Sequence, residues 1–286
     1  GTVDATLNNF DSANYGPTEM NWLHACWGIG LTIAPAVVTF FVLTLEQSWR
    51  WSYFFVAGLF FVIAGLLFVT RRAWSVSTSS DETSTPVPPA SIRETMRQPI
   101  VLISILLFFL YGGVEIGTGQ LANTLLVEGR GMAQETASSW VSSYWGSFTI
   151  GRMLIGLLAL RLGARSLIQG SMTLSVFGAV LLVGNFAEIT SFAGLILIGF
   201  GLAAIFPTLT SQTPSRVGRR YATHTIGFQV GFAGLGAALL PGITGVIATR
   251  TGLEVISLLI LINAVLVLAL YQYILWRERR LKLVIA

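Results

Sequence analysis

The 286-residue chain has a net charge of +4, 53% hydrophobic side chains and only 10% charged ones, with a mean hydropathy of +0.73. So little charge excludes an ordinary soluble domain, and so mild a positive balance, gathered at loop ends, excludes a groove for nucleic acid. The single Cys26 excludes a disulfide framework and a cysteine-based metal site. No Walker loop, zinc pattern, nucleophile elbow or dinucleotide fingerprint occurs, so neither metal nor cofactor is expected.

In chain order, Gly1–Phe10 is too short to cross a bilayer. Val3, Leu7 and Phe10 make an apolar face that Asp4 and Asn8 interrupt, which reads as the tail of a helix that begins earlier. Eight apolar spans follow: Met20–Thr44, Ser52–Thr70, Ile100–Leu121, Ser138–Leu160, Ser166–Asn185, Phe192–Leu209, Ala222–Ile247 and Glu254–Trp276. Each is near the ~20 residues that cross a membrane. Trp49, Trp51, Trp74 and Trp276 sit near span ends, as an interfacial aromatic belt requires. Cys26 lies mid-span and is expected to be a buried thiol. Ser75–Gln98 is rich in Ser, Thr and Pro and reads as a flexible linker. It ends in Ser91-Ile-Arg-Glu94, a capping box that opens a short surface helix.

Of the 17 Lys and Arg, only Arg50, Arg130, Arg152 and Arg250 lie outside four segments, which follow the second, fourth, sixth and eighth spans. Cytoplasmic loops collect basic residues. The even spans therefore end in the cytoplasm, and the linker and C-terminus lie there too. His224 and Arg216–Arg220 read as anchors for lipid headgroups.

The first span reads Gly28-x-Gly30-x4-Pro35 and the seventh Gly234-x-Gly236-x4-Pro241, offset by 206 positions. Glycines let helices approach closely, and each proline bends its span. The offset pairs a span before the linker with the fifth span after it. The chain is thus divided into 1–74, the remnant of a first six-helix half; 75–99, a cytoplasmic linker with its surface helix; and 100–286, a second six-helix half with a tail. Two bundles of repeated helices are a common transporter plan.

The loop Gly156-x4-Arg161-x-Gly163-x-Arg165 resembles the cytoplasmic signature of the major facilitator superfamily, with Leu160 where an Asp usually precedes the first Arg. Within that superfamily the chain resembles the fucose-permease-like sugar:proton symporters. The residues that carry this are Asp4-x3-Asn8, Met20-Asn-Trp-Leu-His-Ala25-x-Trp27-Gly28-x-Gly30, Trp49-Arg50-x2-Tyr53, Tyr111-Gly-Gly-x-Glu115 and Gly199-x-Gly201-x4-Phe206-Pro207-Thr208. The resemblance implies an all-α polytopic membrane protein with eight full helices, equivalent to the fifth to twelfth, plus the end of the fourth. It also implies Gly156, Arg161, Gly163 and Arg165 as a gating motif.

Asp4 stands where the resemblance places an embedded carboxylate used in proton coupling; the alternative is a residue that caps a helix or faces the cytoplasm. Glu115 stands out without any resemblance. It lies about 15 residues into an apolar span, roughly 22 Å deep at 1.5 Å per residue. Ionised and unpaired there it would cost several kcal/mol or more. It is either a proton-coupling group or a structural gate that bonds a neighbouring helix. Gly112, Gly113, Gly117 and Gly119 around it read as an easily broken helix.

His24 falls where the resemblance places an amide that contacts sugar, with a packing histidine as the alternative. Asn8, Asn21, Trp27, Gln120, Asn123, Gln229 and Asn263 complete the polar candidates for solute binding. Tyr144, Trp145 and Phe206 are candidates for stacking on a sugar ring. Arg152 is expected to snorkel, or to pair with an acid in the missing half, in a structural role.

Together these readings point to proton-coupled alternating access for a small polar solute, most simply a sugar. The expected partners are that solute, the proton and the lipid bilayer, and the expected setting is a plasma-membrane monomer. The alternatives are a uniporter, a non-transporting nutrient sensor or an inactive truncated transporter. A membrane enzyme such as an acyltransferase would need a catalytic cluster at a membrane face, which is not found.

Overall fold

The computed structural model describes residues 2–71, 90–159 and 161–285, and among them every regular element is helical. In chain order these are α1 Thr2–Asn14, α2 Pro17–Thr39, α3 Arg50–Val69, α4 Ile92–Met96, α5 Pro99–Thr124, α6 Gln134–Leu158, α7 Ala164–Gly184, α8 Glu188–Ala203, α9 Ile205–Ser211, α10 Thr213–Val217, α11 Arg219–Thr251 and α12 Val255–Ile285. Wider π-helical turns extend α2 over Phe40–Thr44 and α5 over Leu125–Gly129.

Among the described residues, six helical stretches are long and apolar enough to cross a membrane. The remaining two expected spans fold as α2 and α6, helices of 23 and 25 residues. Glu19, Asn21 and His24 in α2, and Glu135, Arg152 and a run of serines in α6, make those two the polar members of the set.

The chain forms two compact units, Gly1–Ala25 with Val87–Ala286, and Cys26–Pro86. In the larger unit α5 packs on α11 and α12, while α7 and α6 pack on α8. Phe108, Leu125, Phe148, Ile155, Met172 and Leu195 lie in the core between them. The tightest crossing is α5 on α11. A methyl group on Gly112 would strike the Ala233 carbonyl, and one on Gly236 would strike the Phe109 carbonyl. The glycines around Glu115 therefore serve close packing in this structure, and α5 runs unbroken past them.

A break does occur where the sixth apolar span divides into α8 and α9 at Ala204. Pro207 has no N–H to give the Ala203 carbonyl, so the helical ladder cannot run through this turn.

In the smaller unit, Phe41 meets Phe55 at 5.8 Å, and Phe40, Phe41, Phe55 and Val37 line a shallow apolar cleft. Ser52 is the only buried residue of α3. An all-round apolar helix with so little cover has the surface of a lipid-facing or partner-facing span. Cys26 is exposed, against the expectation of a buried thiol. It shares a helical stripe with Trp22, Ile29 and Ile33, all exposed, whereas Asn21, Ala25 and Gly28 on the other face are buried. Trp49, Trp51 and Trp276 are about half exposed, as belt residues would be; Trp74 lies outside the described residues.

Candidate functional site

Five helices of the larger unit bring polar side chains to one buried cluster. Asn8 of α1 donates from Nδ2 to the Asp4 carboxylate and to the Asp4 carbonyl, both at 2.9 Å. Its Oδ1 therefore faces His24 of α2, 2.8 Å from Nε2, and that nitrogen is the donor. The His24 main-chain carbonyl accepts from Arg152 Nη1 at 3.0 Å. Arg152 Nη2 stands 3.8 Å from Glu115 Oε1. Asp4 and Glu115 are thus the two ends of one chain, Asp4–Asn8–His24–Arg152–Glu115.

Burial grades this chain. Asp4 is exposed, while Asn8, Arg152 and Glu115 are 0%, 2% and 7% exposed. Arg152 does not wait for an acid elsewhere: it pairs with Glu115 in the same bundle and also lies over the Phe148 ring, 4.1 Å from its centroid. Breaking such a buried pair on one side leaves a bare charge, so its members stand or fall together.

Aromatic and hydroxyl groups wall the cluster. Tyr144 of α6, fully buried, donates to the Glu115 carbonyl at 2.7 Å and packs against Trp145 and Phe148. Phe206 of α9 lies 4.9 Å from the His24 ring and 5.1 Å from Phe108. Tyr111, a turn before Glu115, donates to the Leu202 carbonyl. Asn21 gives Nδ2 to the Pro17 carbonyl and to Thr208 Oγ1, at 2.6 and 3.2 Å. Its Oδ1 is buried without a hydrogen-bond partner. Gly156 makes this arrangement possible, because its missing side chain lets the Trp22 indole of α2 lie 3.1 Å from where a Cβ would be.

The remaining expected solute residues are not gathered here. Gln120 is exposed on α5. Asn123, on the last turn of α5, belongs to a separate amide–hydroxyl group with Gln134 and Ser138 of α6. Gln229 is fully buried and spends both ends on a helix-to-helix bridge, to Ser104 at 2.6 Å and from Thr213 at 3.0 Å. Asn263 is half-buried on α12 and takes no part in the hydrogen bonds of the cluster. Trp27 is 45% exposed and belongs to the smaller unit.

At the basic end, Arg165 pairs with Glu278 at 2.9 Å, and Arg216 reaches the same carboxylate at 3.5 Å. Arg161 and Gly163 are exposed beside them, and Leu160 lies outside the described residues. The Ser91 cap forms as expected, its Oγ accepting from Glu94 N at 3.2 Å. The Glu94 carboxylate does not close the box, since it binds Arg220 and Tyr221 instead. Arg216 and Arg220 are thus ion-paired within the protein. Sequence marks Glu94 only as a cap residue and does not mark Glu278, because the partners of both lie far along the chain.

At the opposite end Arg130 is a clasp. It makes two bonds to Glu254, at 2.8 and 2.7 Å, one to Ser191 and one to the Leu182 carbonyl. Its one mark in the sequence is that it lies outside the four basic segments. The bonds hold the Glu254 carboxyl below its ordinary value, since Arg130 favours the charged form.

The sequence model of the Major Facilitator Superfamily matches residues 16–229 and 118–285. Among curated relatives, "Bypass of stop codon protein 6" of Saccharomyces cerevisiae is 26% identical over 273 residues, covering 84% of this chain and 54% of the relative. The glucose/mannose transporter GlcP of Bacillus subtilis is 22% identical over 254 residues, covering 86% and 62%. The chain therefore spans little more than half the length of these relatives. Among solved structures, a single-residue variant of the Escherichia coli fucose:proton symporter FucP superposes with a TM-score of 0.70 at 14% identity, over 94% of this chain and 72% of that one. A FucP structure in the outward conformation gives 0.64, again at 14% identity, over 79% and 54%. At such identity the likeness is one of fold.

Proposed function

The chain belongs to the Major Facilitator Superfamily, and from that membership we propose that it is part of a secondary transporter that moves a sugar with protons by alternating access. The basic end would face the cytoplasm, with residues 1–74 and 100–286 contributing to the two halves of a plasma-membrane monomer. The observation that carries the reading is the buried Glu115 carboxylate, 3.8 Å from Arg152 and joined through His24 and Asn8 to Asp4. A 3.8 Å separation is longer than a direct charge-assisted hydrogen bond, so a proton or a solute hydroxyl can compete for either partner. The unmet Asn21 Oδ1 supplies an acceptor for a solute hydroxyl. His24, Tyr144 and Phe206 offer the apolar edges that a sugar ring needs.

The chemistry is exchange of one charge state for another. With Glu115 ionised, Arg152 is compensated and the cluster holds together. With a proton on Glu115, the attraction between that carboxyl and Arg152 weakens, and the guanidinium can donate to a solute oxygen instead. This couples proton to solute without covalent chemistry. GlcP and FucP carry glucose, mannose and fucose in their names, so these are the probes of choice.

The test is uptake of labelled glucose, mannose and fucose by the complete protein in proteoliposomes under an imposed pH gradient. Gradient-driven accumulation is expected, and Glu115→Gln should abolish it while leaving solute counterflow. Uptake indifferent to the gradient would make the protein a uniporter, and binding without flux would make it a sensor.

A further inference from the structure

Asp11 has no part in the cluster, yet it stands on the same face of α1, three residues past Asn8 and seven past Asp4. It lies beyond the apolar face of Gly1–Phe10, just before the turn into α2. Asp11 is 8% exposed and Ser12 9%. α1 lies against α9, α10 and α11, and Oδ2 of Asp11 is buried without a hydrogen-bond partner.

The neighbouring elements supply no cation. α9 has no charged residue. Arg216 of α10 is turned to Glu278. On the first turns of α11, Arg220 and Tyr221 are held by Glu94, and among the described residues neither Arg219 nor His224 forms an ion pair with Asp11. On its own helix Asp4 is bound to Asn8. The nearest influence is Glu19, a like charge across the Gly16 turn. Burial first, and Glu19 second, push the Asp11 carboxyl up to about 6.

We propose that Asp11 is a proton-operated latch on the basic, cytoplasmic side, holding α1 against α9–α11 when protonated and releasing it when ionised. The proposal rests on alternating access, but not on the solute or on Glu115. Ionised, Asp11 keeps its Oδ2 buried and without a hydrogen-bond partner, a desolvation cost that separation of the faces relieves. The sign follows from linkage. The closed contact binds the proton more tightly than the open one, so closure is unopposed below the ordinary value of 3.8 and increasingly penalised up to about 6. Above about 6 the penalty is constant. Acidification of the cytoplasm therefore shuts this side.

The test uses the complete protein in inside-out vesicles, with Cys26→Ser and either Ser12→Cys, at the buried contact, or Tyr15→Cys, which is 55% exposed and corrects for thiol ionisation. The ratio of labelling by an impermeant thiol reagent at the two sites should fall roughly threefold to tenfold from pH 6.5 to 4.5. Asp11→Asn should hold the ratio low at every pH, and Asp11→Glu should keep the response. A ratio unaffected by pH in the parent would overturn the latch, as would an Asp11→Asn variant that still responds or labels faster throughout. If Asp11→Asn fails to insert, a parent response that Asp11→Glu leaves intact supports the latch, and one that Asp11→Glu abolishes overturns it. A pH response without gradient-driven uptake would retain the latch and sink the coupled-transport reading.

Discussion

Arg152 and Glu115 face each other across α6 and α5 at 3.8 Å, inside a site where both are more than nine-tenths buried. Neither side chain is satisfied by the other alone: Arg152 also serves the His24 carbonyl. The pair is therefore a junction between helices as well as an ion pair.

Removing one partner should cost far more than removing both. Arg152→Ala is expected to destabilise by about 3–5 kcal/mol, because it leaves a buried carboxylate without compensation. Arg152→Ala with Glu115→Gln should recover a large part of that loss. Unfolding of the purified protein in detergent, followed by tryptophan fluorescence, measures all four corners of the cycle. Additive losses would mean that the two groups do not interact.

The glycines of the repeated Gly-x-Gly motif should separate into two classes. Gly236, like Gly112 on the facing α5, meets a main-chain carbonyl across the α5–α11 crossing, while a methyl group on Gly30, its counterpart in the repeat, meets nothing within 4 Å. Gly112→Ala or Gly236→Ala should therefore force the helices apart, at a cost of about 1–3 kcal/mol or more. Gly30→Ala should be close to neutral or slightly stabilising. Comparing melting temperatures of the three variants decides it, and equal effects would refute the crossing.

The Arg130–Glu254 clasp should leave a pH signature. Since the folded carboxyl sits below its ordinary value of 4.5, its stabilisation is complete above 4.5 and is lost as pH falls through the lower folded value. Glu254 is half exposed, so solvent screening keeps the contribution to about 1 kcal/mol or less. The melting difference between the parent and Glu254→Gln should be present at pH 7 and shrink progressively as the pH falls below 4.5.

The spans were legible because a bilayer crossing needs a long apolar run, and such runs survive any detail of packing. The Ser91 cap was legible because it needs only local spacing. The partners were not. Arg152 and Glu115 are 37 positions apart, and helical periodicity tells which residues share a face but not which faces meet. The same limit sent Cys26 to the wrong side of α2, and left the partners of Gln229 and Asn123 unread. In the structure Gln229 bridges Ser104 and Thr213, and Asn123 joins Gln134 and Ser138. Glu115 was the exception, since its cost in an apolar span demanded a partner before that partner was known.

The break at Ala204 changes what α2 can move. Asn21 and His24 touch Thr208 and Phe206, both on the seven-residue α9, beyond the interruption that Pro207 imposes. α2 is thus fastened to the short limb of a jointed rod. A shift of α2 can swing that limb about the joint while the long limb, α8, keeps its packing with α7.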